Sequence, residues 1–150
     1  MTDVLWLRVL ERIHGHLGWL AVAALVHPAI VLRNPKRRAR LSVGLTTLMV
    51  ALTWGLGAWI YPEYRARIKQ HIFIELPKLG WCFERKEHLA VGVGVFTLIG
   101  CIAHLAGPTF EGESTRLLMS KLAHRAFVVA CGLAITVAVL GVAVASYKSF

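Results

Sequence analysis

Four long apolar stretches dominate the chain, and short polar segments separate them. The stretches run from 17 to 32, 41 to 61, 89 to 107 and 127 to 146. The hydrocarbon core of a bilayer is about 30 Å thick, so a spanning helix with a rise of about 1.5 Å per residue needs roughly 20 apolar residues. The second and fourth stretches have that length, and the first and third reach it once their amphipathic flanks are counted. The pattern therefore predicts four membrane-spanning helices.

The spacing and the breaks between the stretches predict an all-α fold, an integral membrane four-helix bundle with up-down topology. Asn34-Pro35 ends the first helix and Gly107-Pro108 ends the third, because the residue before proline avoids the helical region. Residues 1–13 are amphipathic and either lie at the interface or extend the first helix outwards. A single transmembrane domain covers residues 1–150, with helices at about 14–33, 41–61, 87–106 and 117–146.

The connection between the second and third helices also has a helical pattern. Tyr64, Ile68 and Ile72 recur at helical spacing, whereas the charged residues of the segment, Lys69 among them, fall on the other side. A helix with this division lies in the plane of the membrane interface. We therefore predict a short interfacial helix at about 62–74.

Composition and charge favour a membrane protein over a soluble one. Hydrophobic residues make up 57% of the chain and the mean hydropathy is +0.61, whereas a soluble domain needs a polar exterior. The formal net charge of +9 does not indicate a nucleic-acid partner, because the basic residues crowd the ends of the apolar stretches. Residues placed in this way anchor helix ends and meet anionic headgroups. We expect the lipid bilayer as a partner and no nucleic acid.

The distribution of basic residues also predicts an orientation. The hairpin at 33–40 is short and dense in positive charge, which places it in the cytoplasm by the positive-inside rule. The segment at 116–125 shares that side, so both termini and the connection at 62–87 lie outside. The basic residues of that connection nearly cancel the difference in positive charge between the two sides of the membrane. The prediction is a bacterial inner membrane protein with its N and C termini outside.

Six of the seven histidines lie near the ends of the predicted spans, and up-down threading sorts them into two layers. An imidazole in hydrocarbon is costly unless something engages it, and facing histidines in a helical bundle commonly hold a haem or another metal centre. The layer near the termini contains His14, His16 and His88, and the layer near the basic hairpin contains His27, His104 and His124.

Spacing along the first helix suits two stacked haems. His16 and His27 are eleven residues apart, which at about 100° per residue returns nearly to the same helix face, roughly 16 Å along the axis. We predict His16 with His88 as the upper pair of iron ligands. His14 is the alternative to His16.

The lower pair is predicted to be His27 with His104 or His124. His88 and His104 are sixteen residues apart and fall on nearly opposite faces, so both cannot point inwards from a straight helix. His124 is therefore the substitute for His104. The simpler interpretation of any one of these residues is an imidazole at a helix end that binds a headgroup, a carboxylate or a freed carbonyl.

These ligands predict one or two groups of haem b and an electron-transfer function. Iron held by two imidazoles is low-spin and six-coordinate, which suits electron transfer, and the lack of a Cys-x-x-Cys-His motif excludes covalent attachment. Such a protein passes electrons to a quinone or to another membrane or periplasmic redox subunit, as part of a larger redox or energy-converting complex. It is at most an oxidoreductase subunit, because hydrolase and transferase motifs are absent from the sequence.

Two other functions fit the same sequence. One is a cofactor-free accessory or assembly subunit of a membrane complex, and the other is a small histidine-dependent proton or ion carrier. Glu87 beside His88, with Glu63 and Glu75 in the same connection, could hold a metal or relay protons. We expect instead that these carboxylates pair with neighbouring arginines and lysines.

Two resemblances follow from these residues. The number of helices and the layering of histidines resemble four-helix b-type cytochromes, such as the cytochrome b561-like and copper-resistance-D-like membrane proteins. That resemblance covers the whole chain and implies that histidines on facing helices hold one or two haems. Separately, Tyr61–Arg65 (YPEYR) followed by Phe83–Leu89 (FERKEHL) resembles a pattern in uncharacterised bacterial four-helix membrane proteins.

Overall fold

The computed structural model describes residues 2–37 and 39–147, which form helices and short turns with no strand among them. A π-helical turn, Arg65–Lys69, follows the second helix, and a 3-10 turn, Gly107–Thr109, follows the fourth. Four helical stretches are long and apolar enough to cross a membrane. The all-α prediction with four long apolar helices is therefore confirmed. The helices are α1 (Thr2–Val31), α2 (Arg40–Tyr64), α3 (Gln70–Glu75), α4 (Pro77–Ala106) and α5 (Glu113–Tyr147).

The four long helices pack as a square. α4 packs most extensively along α5, and contacts of α1 with α5, α1 with α2 and α2 with α4 close the ring. Neighbours run antiparallel: Thr46 bonds to the backbone of Ala24, whereas Thr53 bonds to that of Leu17, further towards the start of α1. Consecutive long helices are thus adjacent, and α1 lies diagonally opposite α4.

The helices are longer than the apolar stretches that predicted them. α1 begins at Thr2, so the amphipathic residues extend the first helix outwards. α4 begins at Pro77, ten residues before the predicted start, and α5 begins at Glu113. Proline suits the first turn of a helix because its missing N–H would have no partner there. Hydropathy marks where a helix is apolar, whereas helical backbone continues through the charged flanks.

The structure does not confirm a separate interfacial helix at 62–74. α2 continues through the π-helical turn into α3, and only Leu76 separates α3 from α4. Pro62 lies inside α2 and cannot donate a backbone hydrogen bond, a condition that favours a local change of helix type. We call residues 64–87, which form the hairpin of α3 and the start of α4, the head.

The π-helical turn changes which residues face the bundle. Buried or half-buried positions recur every three or four residues from Val43 to Tyr64, and the next buried position is Lys69, five residues after Tyr64. The expectation that Lys69 lies on the exposed polar side was wrong. The wider turn contains one extra residue and so rotates the following helix until the lysine points inwards.

Two groups of buried side chains hold the bundle together. In the main core, Leu25, Val43 and Phe127 are fully buried. Gly100 makes room for the aromatic ring, because a β-carbon there would stand 2.8 Å from two carbons of Phe127. The second group lies in the head, where α5 contributes one residue; its members are Tyr64, Ile72, Phe83 and Val144.

Candidate functional site

Contacts between helices show the depth of each histidine. His14 lies at the level of Gly57, where a β-carbon would stand 2.8 Å from the imidazole Cε1. At the opposite end, His27 is at the level of Ser42 on α2. His104 is at the level of Ala39, and the contact between Gly100 and Phe127 places His124 near it in depth. The histidines of the lower layer thus share one depth, near the basic hairpin.

The imidazoles at each level face different directions. His16, His27 and His88 are exposed on the outside of the bundle, whereas His14, His104 and His124 are half-buried. The predicted upper pair therefore consists of two exposed side chains on diagonally opposite helices. The lower pair combines an exposed imidazole on α1 with a half-buried one on α4 or α5. The structure groups these residues by depth but does not bring either pair to a shared inner face.

Hydrogen bonds determine which imidazole nitrogens remain available. Nδ1 of His88 donates to the backbone oxygen of Glu84 at 2.8 Å, and Nδ1 of His27 lies 2.6 Å from Ser42 Oγ. A histidine whose Nδ1 is held in this way presents Nε2 to a metal, the usual arrangement around a ligating imidazole. His104 differs, because its Nε2 accepts a bond from the backbone N–H of Ala39 at 3.4 Å.

Four buried polar atoms have no hydrogen-bond partner within the described part of the chain: His14 Nδ1, Glu87 Oε1, Thr97 Oγ1 and His124 Nδ1. Such atoms generally need a water molecule, a proton or a ligand. No set of three or more histidine, cysteine, aspartate or glutamate residues among 2–37 and 39–147 could hold a metal ion.

The best-organised polar cluster lies in the head and centres on Lys69. Its ammonium group is 2.6 Å from Glu84 Oε1, 3.0 Å from Glu87 Oε2 and 3.2 Å from Tyr61 Oη. Tyr61 also donates to the same oxygen of Glu87, at 3.2 Å. The lysine side chain is only 11% exposed, and the ring of Phe83 lies 5.4 Å from the nitrogen. The three N–H donors of the ammonium group have three oxygen acceptors, so each donor has a hydrogen-bond partner.

The carboxylates behave in part as expected. Glu63 pairs with Arg67 at 2.9 Å, which agrees with pairing to a neighbouring arginine. Glu87 instead forms an ion pair with Lys69, which the sequence pattern predicts on the exposed polar side of the helix. Glu84 and Glu87 are three residues apart and lie on one face of α4, so a single cation can contact both.

Apolar side chains are exposed at the end of the head. Ile74 is 78% exposed, Trp81 62% and Leu76 43%. We call these three residues the tip. They lie beyond the charged residues at 63–69 and 84–87, at the same end of the bundle as the start of α1.

No protein-family model, curated protein or solved structure matches this chain. Over residues 2–37 and 39–147 the structure is all-α and has four helices long and apolar enough to cross a membrane. Their exposed apolar faces are consistent with contact to a lipid bilayer.

Proposed function

We propose that the protein is an integral membrane subunit without catalytic chemistry of its own, which packs beside larger partners and contacts one of them through the tip. The exposed apolar tip is the observation that carries this proposal. Between Tyr64 and Ile74 the chain rises about 15 Å at helical geometry, so the tip stands well beyond the apolar spans. Large apolar side chains grouped on an exposed surface commonly mark a contact with a protein or a membrane, and the position of the tip beyond the spans favours a protein.

The cluster around Lys69 supports the same function. It holds α2, the π-helical turn and α4 together through Tyr61, Lys69 and two glutamates. Tyr64 and Phe83 stack with ring centroids 5.2 Å apart directly beside it. The head is therefore a packed helical extension and a firm support for the tip.

A photo-reactive amino acid at position 81 tests the contact at the tip. We expect a discrete protein adduct in native membranes, and we expect Ile74→Ser to weaken it at least several-fold because it removes apolar contact area. The control places the same group at Trp59, which is 71% exposed but lies within the apolar span, where lipid adducts are expected. Lipid adducts at position 81 would show that the tip lies in the membrane and would refute the proposal.

A second candidate function is electron transfer through haem b. Its support is the arrangement of His27 and His88, whose Nδ1 atoms are engaged and whose Nε2 atoms remain free, together with the inward His14 and His124. The fit is partial, because the free nitrogens lie at the outside of the bundle. When bound, haem would supply an iron that takes up and releases one electron.

The absorption spectrum of the purified protein separates the two candidates. If haem is bound, the reduced protein shows the α-band of low-spin haem b, and His88→Ala or His27→Ala abolishes it. His71→Ala is the control, since that histidine is exposed on α3 and belongs to neither layer. A folded protein that stays colourless after incubation with haemin would refute the haem proposal and favour the accessory subunit.

A further inference from the structure

The turn between α1 and α2 forms an open pocket on the side opposite the head. Its volume is about 580 Å³. The last turn of α1 provides an apolar part of the lining, which we call the floor, and two exposed arginines provide a charged part, which we call the rim. The lining residues are Ile30, Val31, Arg33, Asn34, Pro35 and Arg37.

Hydrogen bonds hold this turn in one conformation. The N–H of Arg33 donates to the carbonyl of Ile30 at 3.2 Å, and that of Arg37 donates to the carbonyl of Asn34 at 3.0 Å. Asn34 Oδ1 accepts from the N–H of Lys36 at 3.0 Å. These bonds constrain the backbone that carries the two arginines, and such preorganisation lowers the entropic cost of binding a ligand.

The parts of α1 and α2 that adjoin the pocket carry no carboxylate to offset its positive charge. Between Glu11 and Glu63 the sequence contains no aspartate or glutamate. Among the residues that the structure describes, Arg33 and Arg37 form no ion pair, and both side chains are exposed. Guanidinium groups bind phosphate oxygens through paired N–H donors, so the rim suits a phosphate.

We propose that this pocket binds an anionic phospholipid of the adjacent leaflet. The phosphate contacts Arg33 and Arg37, and the first part of an acyl chain lies on Ile30 and Val31. Basic pockets at helix ends recognise anionic headgroups in this way. A soluble phosphate would use only the rim, whereas the apolar floor fits the lipid. The inference rests on the membrane insertion proposed above but not on the contact at the tip.

Native mass spectrometry of the detergent-purified protein, titrated with phosphatidylglycerol, tests the site. Arg33→Gln with Arg37→Gln is expected to weaken lipid binding roughly ten- to thirtyfold, since each basic side chain contributes about fivefold. The matched control, Lys121→Gln with Arg125→Gln, removes two exposed cations from α5 and should change binding less than about threefold. Phosphatidylcholine should bind the wild-type protein as weakly as phosphatidylglycerol binds the double arginine variant.

A third variant tests the floor while both arginines remain. Ile30 is 65% exposed, so Ile30→Trp fills the pocket without disturbing the core, and it should lower phosphatidylglycerol binding to the level of the arginine variant. Equal loss in the α5 control, or unchanged binding in Ile30→Trp, would overturn the proposal. Displacement of the lipid by millimolar inorganic phosphate would assign the site to a soluble anion instead. None of these outcomes affects crosslinking at the tip, so the two proposals fail independently.

Discussion

Lys69→Met should lower the free energy of unfolding by about 2–3 kcal/mol, because Glu84 and Glu87 lose their shared cation while partly withdrawn from water. Breaking a fully buried pair costs more, but these two carboxylates remain 32% and 22% exposed and can recover some hydration. The measurement is reversible denaturant unfolding in detergent, followed by circular dichroism. Limited proteolysis should also show faster cleavage within the head.

The control for this prediction is Arg67→Met, in the same segment. Arg67 pairs with Glu63, but both side chains are at least half exposed, so the loss should stay below about 0.5 kcal/mol. Adding Glu84→Gln and Glu87→Gln to Lys69→Met should restore about 1 kcal/mol, because the unpaired charges disappear. Equal losses in the Lys69 and Arg67 variants would mean that the cluster does not stabilise the head.

Phe127→Ala should destabilise the main core by about 2–3 kcal/mol, through the cavity left in place of the ring. Phe127 is fully buried against Gly100 and among Ala123 and Ala130. The value lies below the range for soluble proteins, because in a bilayer the unfolded chain also keeps the ring in an apolar environment and only packing is lost. The same detergent unfolding measures it. Val128→Ala, on the exposed face of the same helix, is the control and should change stability little.

A double-mutant cycle separates close packing from simple loss of apolar area. Gly100→Ala alone places a β-carbon 2.8 Å from the ring and should destabilise the protein by about 1–3 kcal/mol. In a Phe127→Leu background the same alanine gains space, so a coupling energy of about 1 kcal/mol is expected. Additive effects would show that the ring and the glycine do not depend on each other.

Periodicity and hydropathy predicted the helices far better than the polar contacts. The apolar stretches are long enough to identify four helices without tertiary information. The charged flanks carry no such signal, and α4 therefore begins ten residues before the predicted start. A regular repeat of about 3.6 residues predicts that Lys69 lies on the outside of the bundle. The sequence does not show that this residue ends a π-helical turn.

The histidines show a similar limit. Spacing predicts whether two residues of one helix lie on the same face, and His16 and His27 are indeed both exposed. How far each helix is rotated about its own axis depends on packing against its neighbours. Gly57, for example, makes room for the ring of His14, whereas the sequence favours His16 as the ligand. The depth of each histidine in the bundle could thus be predicted from the sequence, whereas the direction in which its side chain points could not.

The π-helical turn that follows α2 sets the direction in which α3 faces. If the same residues formed a regular α-helix, α3 would turn by about 100°, because the π-helical turn takes five residues where an α-helical turn takes about four. Ile72 would then leave its place beside Phe83, and Ile74 would point towards a different side of the molecule. Deleting one residue from 65–69 removes the extra residue, so it should restore a regular α-helix and leave the outer contact surface in place.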